Sequence, residues 1–147
     1  MDTQITTKFK INKSAKEVFE AIVDPVEIGN FWFSSSSERW EQGRMITLKY
    51  DEYGAEGIIH VLEVDPNKNI VFTWGAEHDE ETVVTITLNE LDKMSTTIEV
   101  CESGFKKEDP ELVNKMVGQK GGWVYMLSCL KSYLENDVNN LRASMLN

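Results

Sequence analysis

The chain changes its hydrophobic rhythm twice along its length, and each change marks a new kind of element. Ile5-Thr6-Thr7-Lys8-Phe9-Lys10-Ile11 alternates apolar and polar residues with a period of two, which predicts a half-exposed strand. Ser14-Ala15-Lys16-Glu17 then forms a capping box, in which the Ser hydroxyl and the Glu carboxylate each satisfy an orphan amide at a helix start. The helix carries Val18, Phe19, Ile22 and Val23 on one face and stops before Asp24-Pro25, since a residue preceding proline is pushed out of the helical region. A second short helix is expected directly afterwards, from 26 to about 31.

From 34 to 101 the rhythm becomes short runs divided by turn residues, the pattern of a sheet. Runs 37–40 and 43–50, joined by Glu41-Gln42, read as a hairpin with Ile46, Leu48 and Tyr50 on one face. The run 57–64 ends at Asp65-Pro66-Asn67-Lys68-Asn69, where proline presets the turn. Run 70–74 places Ile70, Phe72 and Trp74 on one side, and the acidic link Glu77-His78-Asp79-Glu80-Glu81 leads into run 82–88. A turn at Leu91-Asp92-Lys93 leads into run 95–101. About seven strands result, and their short connections make neighbours antiparallel, a meander with one dry face.

A dry face needs a cover, and the C-terminal third supplies it. Asp109-Pro110-Glu111 predicts an N-cap followed by proline at the first helical position. Trp123, Leu127, Leu130, Leu134 and Leu141 form the apolar stripe of a long helix, widened by Met126 and Val138, while Lys131, Glu135 and Asn139 face water. Gly118, Gly121 and Gly122 each cost about 1 kcal/mol inside a helix, so either the helix breaks there or its backbone approaches a neighbour closely. The fold class is therefore α+β: an antiparallel sheet of six to seven strands around a long C-terminal helix.

With 147 residues, 41% of them hydrophobic, the chain matches one domain spanning 1–147. A formal charge of −10 argues against nucleic acid or an anionic lipid surface as partner. No apolar run approaches the roughly 20 residues of a membrane span, so membrane insertion is not expected. The start lacks the features of a secretory leader, and a cytoplasmic protein follows as the expectation. Cys101 and Cys129 form no paired framework and read as buried thiols in a reducing compartment. The histidines make no HxxxH cluster, and the acidic link lacks the spaced ligands of a Ca²⁺ loop, so no metal and no cofactor are expected. Neither GxSxG nor a phosphate-binding GK[ST] occurs, which leaves nucleophilic and phosphoryl chemistry without a motif.

The blocks ITTKFKINKSAKEVFEAIVDP, FW at 31–32, EVDPNKNIVFTW at 63–74, ESGF at 102–105 and GGWVYMLSCLKSYLEN at 121–136 occur in an order that resembles a known family. The chain is similar to the activator of Hsp90 ATPase homologue 1-like proteins, relatives of the START lipid-transfer domains and the birch-pollen-allergen fold. It departs from the usual pattern at Phe33, where many relatives are more polar, and at Glu102, where relatives often carry His. The resemblance implies the helix-grip fold, with a sheet curved around the long helix and a pocket of variable volume for a small hydrophobic or lipid-like ligand. It also implies two alternatives: a stress-response module interacting with an Hsp90-type chaperone, and a cyclase or hydrolase using His60 or an inward acid.

The residues themselves nominate an aromatic cavity wall. Trp32, Trp40, Tyr50, Phe72, Trp74, Trp123 and Tyr125 are a large amphipathic payload, and the polar tips of Trp and Tyr suit a partly wet wall. Met126 joins them as an adaptable side chain. His60 shares its parity with Ile58, Leu62 and Val64 and is expected to point inward, whereas His78 is expected at the surface. The first reading is a non-enzymatic protein, monomeric or weakly dimeric, whose cavity takes a small hydrophobic or aromatic ligand.

Overall fold

Ser14 opens the first helix with one half of the expected capping box: its hydroxyl accepts from the Glu17 amide at 3.2 Å, while the Glu17 carboxylate accepts from that same hydroxyl at 3.3 Å and not from the Ser14 amide. This helix, α1 (Ala15–Val23), buries Val18, Phe19, Ile22 and Val23, then yields to a 3₁₀ turn at Ile28–Asn30 in place of the second short helix. The computed structural model describes residues 3–146. Among these, seven strands form one sheet: β1 (Ile5–Ile11), β2 (Ser35–Ser36), β3 (Met45–Tyr50), β4 (Ala55–Asp65), β5 (Asn69–Trp74), β6 (Thr82–Asp92) and β7 (Ser95–Ser103). Their order is β1-β7-β6-β5-β4-β3-β2, with every pair antiparallel, so the meander β3 to β7 is closed on one side by the N-terminal strand.

The long helix α2 (Leu112–Asn136) lies across the dry face and buries Trp123, Met126, Leu127 and Leu130 against Ile86, Ile98, Val100 and their neighbours. Each such side chain contributes about 1.5–3 kcal/mol on burial. Lys131 reaches the Lys10 carbonyl at 2.7 Å, and Glu135 accepts from the Asn12 backbone amide at 3.0 Å, which ties the helix to the end of β1. This is the helix-grip arrangement that the sequence predicts, in its α+β class.

Several local expectations give way. The hairpin through Glu41-Gln42 is absent; β2 pairs through Ser35 and Ser36 with Lys49 and Leu48, and the chain then loops so that the Trp40 amide donates to the Val23 carbonyl. The last helix begins at Leu112, two residues beyond Pro110, and ends at Asn136, so Val138 and Leu141 lie past it. Lys131 and Glu135 are half-buried, because the side chains pair at 2.5 Å and serve the β1 end. The helix runs unbroken through Gly118, Gly121 and Gly122, and a Cβ at any of them would meet nothing within 4 Å. Neither break nor close approach explains these glycines; they leave open space beside the helix. Cys101 is half-buried rather than buried, since β7 turns Ile98, Val100 and Glu102 inward and Cys101 outward.

Candidate functional site

The inward face of β7 ends in a carboxylate. Glu102 is 1% exposed, following Thr96, Ile98 and Val100 at the period-two spacing of the strand. Its Oε1 accepts from Trp123 Nε1 at 2.9 Å and from Gln119 Nε2 at 3.0 Å. Its Oε2 accepts from Trp74 Nε1 at 3.0 Å and from the Thr82 hydroxyl at 2.5 Å. A carboxylate is an acceptor only, and here β5, β6 and α2 each bring it donors. All of these donors are neutral, and among the described residues no lysine or arginine forms an ion pair with it. Bonds to a charged acceptor are the stronger kind, which is how the charge is held without a counter-ion.

Around this anchor the aromatic side chains interlock. The Trp74 and Trp123 rings stack with centroids 5.3 Å apart, and Trp32 meets Trp123 edge-on at 5.6 Å. Trp40 meets Phe72 at 5.3 Å, and Phe72 meets Trp74 at 5.4 Å. Both indoles that hold Glu102 are thus fixed from two sides.

Glu102 forms part of the inner wall of a half-open cleft of about 840 Å³, between the N-terminal half of α2 and the ends of β3 to β7. Phe33, Tyr50, Trp74 and Phe105 supply its aromatic surface, and Gly118 leaves the helix side open. Gly75 stands in the left-handed region at φ +87°, and a Cβ there would come within 2.5 Å of the Glu80 carbonyl oxygen, so the loop behind the cleft requires glycine. A second space of about 360 Å³ continues along α2, lined by Trp32, Trp123, Met126 and Met145 among others. Tyr50, Trp74 and Gln119 border both spaces. The Gln119 side chain therefore stands between the two compartments while its amide donates to Glu102.

The segment after α2 folds back over the smaller space. Arg142 donates to the Trp32 carbonyl at 2.6 Å and to the Glu52 carboxylate at 2.6 Å, with its guanidinium 5.0 Å from the Tyr50 ring centroid. The Tyr125 hydroxyl donates to the Leu141 carbonyl, and Tyr53 donates to the Met145 carbonyl at 2.8 Å. The hydrogen bonds from Arg142 hold the Glu52 carboxyl down to about 2, and burial pushes the Tyr50 phenol up.

The nine residues expected from sequence at the cavity separate into three groups. Trp32, Tyr50, Trp74, Trp123, Tyr125 and Met126 come together around the two spaces. Trp40 and Phe72, at 1% and 0% exposure, pack behind them and line neither space. His60 is exposed on the outer face of the sheet beside Met45, contrary to its expected inward orientation. The cause is a bulge: Val61 pairs with Phe72 and Glu63 with Val71, so Leu62 is an extra residue and the parity counted back from Val64 fails. His78 is exposed, as expected. Glu102, Gln119, Thr82 and Phe105 belong to the site and were not nominated. Alternation from Ile98 and Val100 turns Glu102 inward because β7 runs past Cys101 to Ser103. Among the described residues no group of three or more His, Cys, Asp or Glu is placed to hold a metal ion.

Comparison with known proteins agrees with this architecture. The X-ray structure of the protein SSP2350 from Staphylococcus saprophyticus superposes with a TM-score of 0.80 at 48% identity, covering 92% of this chain and 94% of that one. DynU16, from the dynemicin biosynthetic locus, matches at 22% identity with a TM-score of 0.81, covering 95% of this chain and 49% of that one. The Aha1 dimer from Colwellia psychrerythraea matches at 18% identity with a TM-score of 0.74, covering 90% and 96%; at such identities these two show the fold alone. No match was found among curated proteins. The family model described as activator of Hsp90 ATPase homolog 1-like protein matches residues 12–135, from the capping box through α2, and the chain belongs to that family.

Proposed function

We propose that this chain is a small-molecule-binding protein whose ligand lies in the cleft between α2 and the sheet, with an apolar or aromatic body against Tyr50, Trp74 and Phe105. The observation that carries the reading is the cleft of about 840 Å³ itself, a volume within the range of small-molecule sites, with four aromatic side chains in its wall and a buried carboxylate, Glu102, on its inner side. Gly118 supports the reading, because it accepts a helix-propensity cost and leaves the helix side of the cleft unfilled. Contact with an Hsp90-type chaperone rests on the family description alone, so the cleft gives the small-molecule reading precedence.

The test is a screen of neutral aromatic fragments by native mass spectrometry and calorimetry, run on the native chain and on Gly118→Phe. A phenyl group at 118 has room to form and projects beside the cleft. Saturable binding by the native chain that is lost in a folded Gly118→Phe variant is expected. Binding that survives the substitution unchanged, or no binding across the panel, would contradict the reading.

A further inference from the structure

We infer that the ligand of this cleft is a hydrophobic amine, whose ammonium group takes the place of the Gln119 amide on Glu102 while its apolar body lies along Trp74 and Tyr50. This rests on the cleft-binding reading and adds the chemical class of the ligand.

The inference begins with the donors to Glu102. Trp74 and Trp123 are locked by mutual stacking at 5.3 Å, and Thr82 belongs to β6. Gln119 differs from them: it is half-buried, its side chain has three rotatable torsions, and it borders both compartments. It is the donor that a ligand can replace without unpicking the core, and its departure would join the two spaces along the helix. The group that replaces it must itself donate, because the site it enters is a carboxylate oxygen. A charged donor gains most there, since Glu102 has no cationic partner among the described residues and an N⁺–H···O⁻ bond is roughly twice as strong as a neutral one.

The mouth of the cleft selects in the same direction. Glu56, Glu77, Glu80, Glu81 and Asp109 line it. Its two lysines are already committed, Lys106 to Asp79 at 3.3 Å and Lys115 to Glu80 at 2.7 Å and Asp109 at 2.6 Å. A fatty acid or other anion entering this field meets like charge at the rim and again at Glu102. A cation is drawn in by the same field.

The experiment uses three probes that share one body and differ in head group: 4-phenylbutylamine, 4-phenylbutanol and 4-phenylbutyrate, titrated calorimetrically into the native chain. The amine is expected to bind roughly tenfold tighter than the alcohol, the order gained when a charge-assisted bond replaces a neutral one, and the carboxylate to give no saturable heat. Equal affinities for amine and alcohol, or tighter binding of the carboxylate, overturn the amine inference and leave the cleft reading standing. Binding by none of the three, the alcohol included, overturns both. Glu102→Gln is expected to abolish the amine's advantage over the alcohol, and an advantage that persists in it overturns the proposed contact. Should that variant not fold, Gln119→Ala carries the test: it removes the competing donor and is expected to tighten amine binding several-fold. Unchanged or weaker amine binding in Gln119→Ala overturns the displacement of Gln119.

Discussion

Exchanging Glu102 for Gln preserves the side chain's shape and replaces one acceptor oxygen by a two-proton donor. With the new nitrogen at the Oε1 position it would face Trp123 Nε1 at 2.9 Å and Gln119 Nε2 at 3.0 Å, donor against donor. With the nitrogen at Oε2 the conflict is smaller, because Gln119 Nε2, 3.2 Å from Oε2, keeps Oε1 as its acceptor at 3.0 Å, the Thr82 hydroxyl can turn to accept, and Trp74 Nε1 keeps that hydroxyl as its own acceptor at 3.1 Å. In this better orientation the bonds from Trp123 and Gln119 lose their charge assistance and Trp74 loses one acceptor. Hydrogen bonds to charged groups contribute about 1.5–3 kcal/mol against about 0.5–1.5 kcal/mol for neutral ones, so two lost charge assistances and one lost acceptor come to about 3.5–6 kcal/mol. The amide recovers part of this because it is cheaper to bury than a charge. A net destabilisation of about 1–3 kcal/mol is expected, or roughly 3–10 °C in Tm for a chain of this size. Urea unfolding followed by circular dichroism measures it as a lower midpoint at constant m. An unchanged or higher midpoint, with the Trp74 and Trp123 indole N–H resonances unmoved, would refute the claim that a charge organises these donors.

Three further expectations follow from the same structure. Leu127→Ala, at a site with 0% exposure beneath the centre of α2, is expected to cost about 2–5 kcal/mol in urea unfolding; a cost under 1 kcal/mol would mean that the helix does not cover the core as described. Gly118→Ala is expected to stabilise by up to about 1 kcal/mol, because the new methyl has open space and the helix gains propensity, while fragment affinity falls as the cleft narrows. Glu52 has its carboxyl held down to about 2 by the Arg142 hydrogen bonds, so its contribution is complete above the ordinary carboxylate range near 4.5 and is lost as pH falls from there through about 2. Protection factors at residues 141–146, exchange rates taken relative to the intrinsic rate at each pH, are expected to fall over that window; a fall already at pH 6, or none by pH 2, contradicts the tie.

The sheet was legible because its information is local. Alternation assigns a face to each strand residue, and short connections leave antiparallel neighbours as the simple solution, so Ile46, Leu48, Ile70 and Phe72 fall where their parity predicts. Parity fails where the backbone adds a residue, and nothing in Val61-Leu62-Glu63 signals the bulge that turns His60 outward. Depth is equally invisible to it: Phe72 and Trp74 share a face, yet the first is sealed and the second borders both spaces. Trp40 is buried by a loop tucked against Val23, a contact that no run of the sequence announces. Glu102 was hidden for another reason. A charged residue ordinarily ends a strand's inward series, and only the convergence of Trp74, Thr82, Gln119 and Trp123 from three elements makes its burial tolerable.

The central claim, that the cleft beside Glu102 is where this chain meets a small molecule, is read most directly in the four indole N–H resonances of a ¹⁵N-labelled sample during titration with 4-phenylbutylamine. Trp74 and Trp123, whose N–H groups point at Glu102, are expected to shift and saturate together with a 1:1 stoichiometry. Trp40, whose N–H donates to Ser36 at 3.3 Å behind the site, is expected to stay in place. Saturable shifts at Trp40 with Trp74 and Trp123 unmoved, or no saturable shift at any indole up to millimolar probe, would contradict the account.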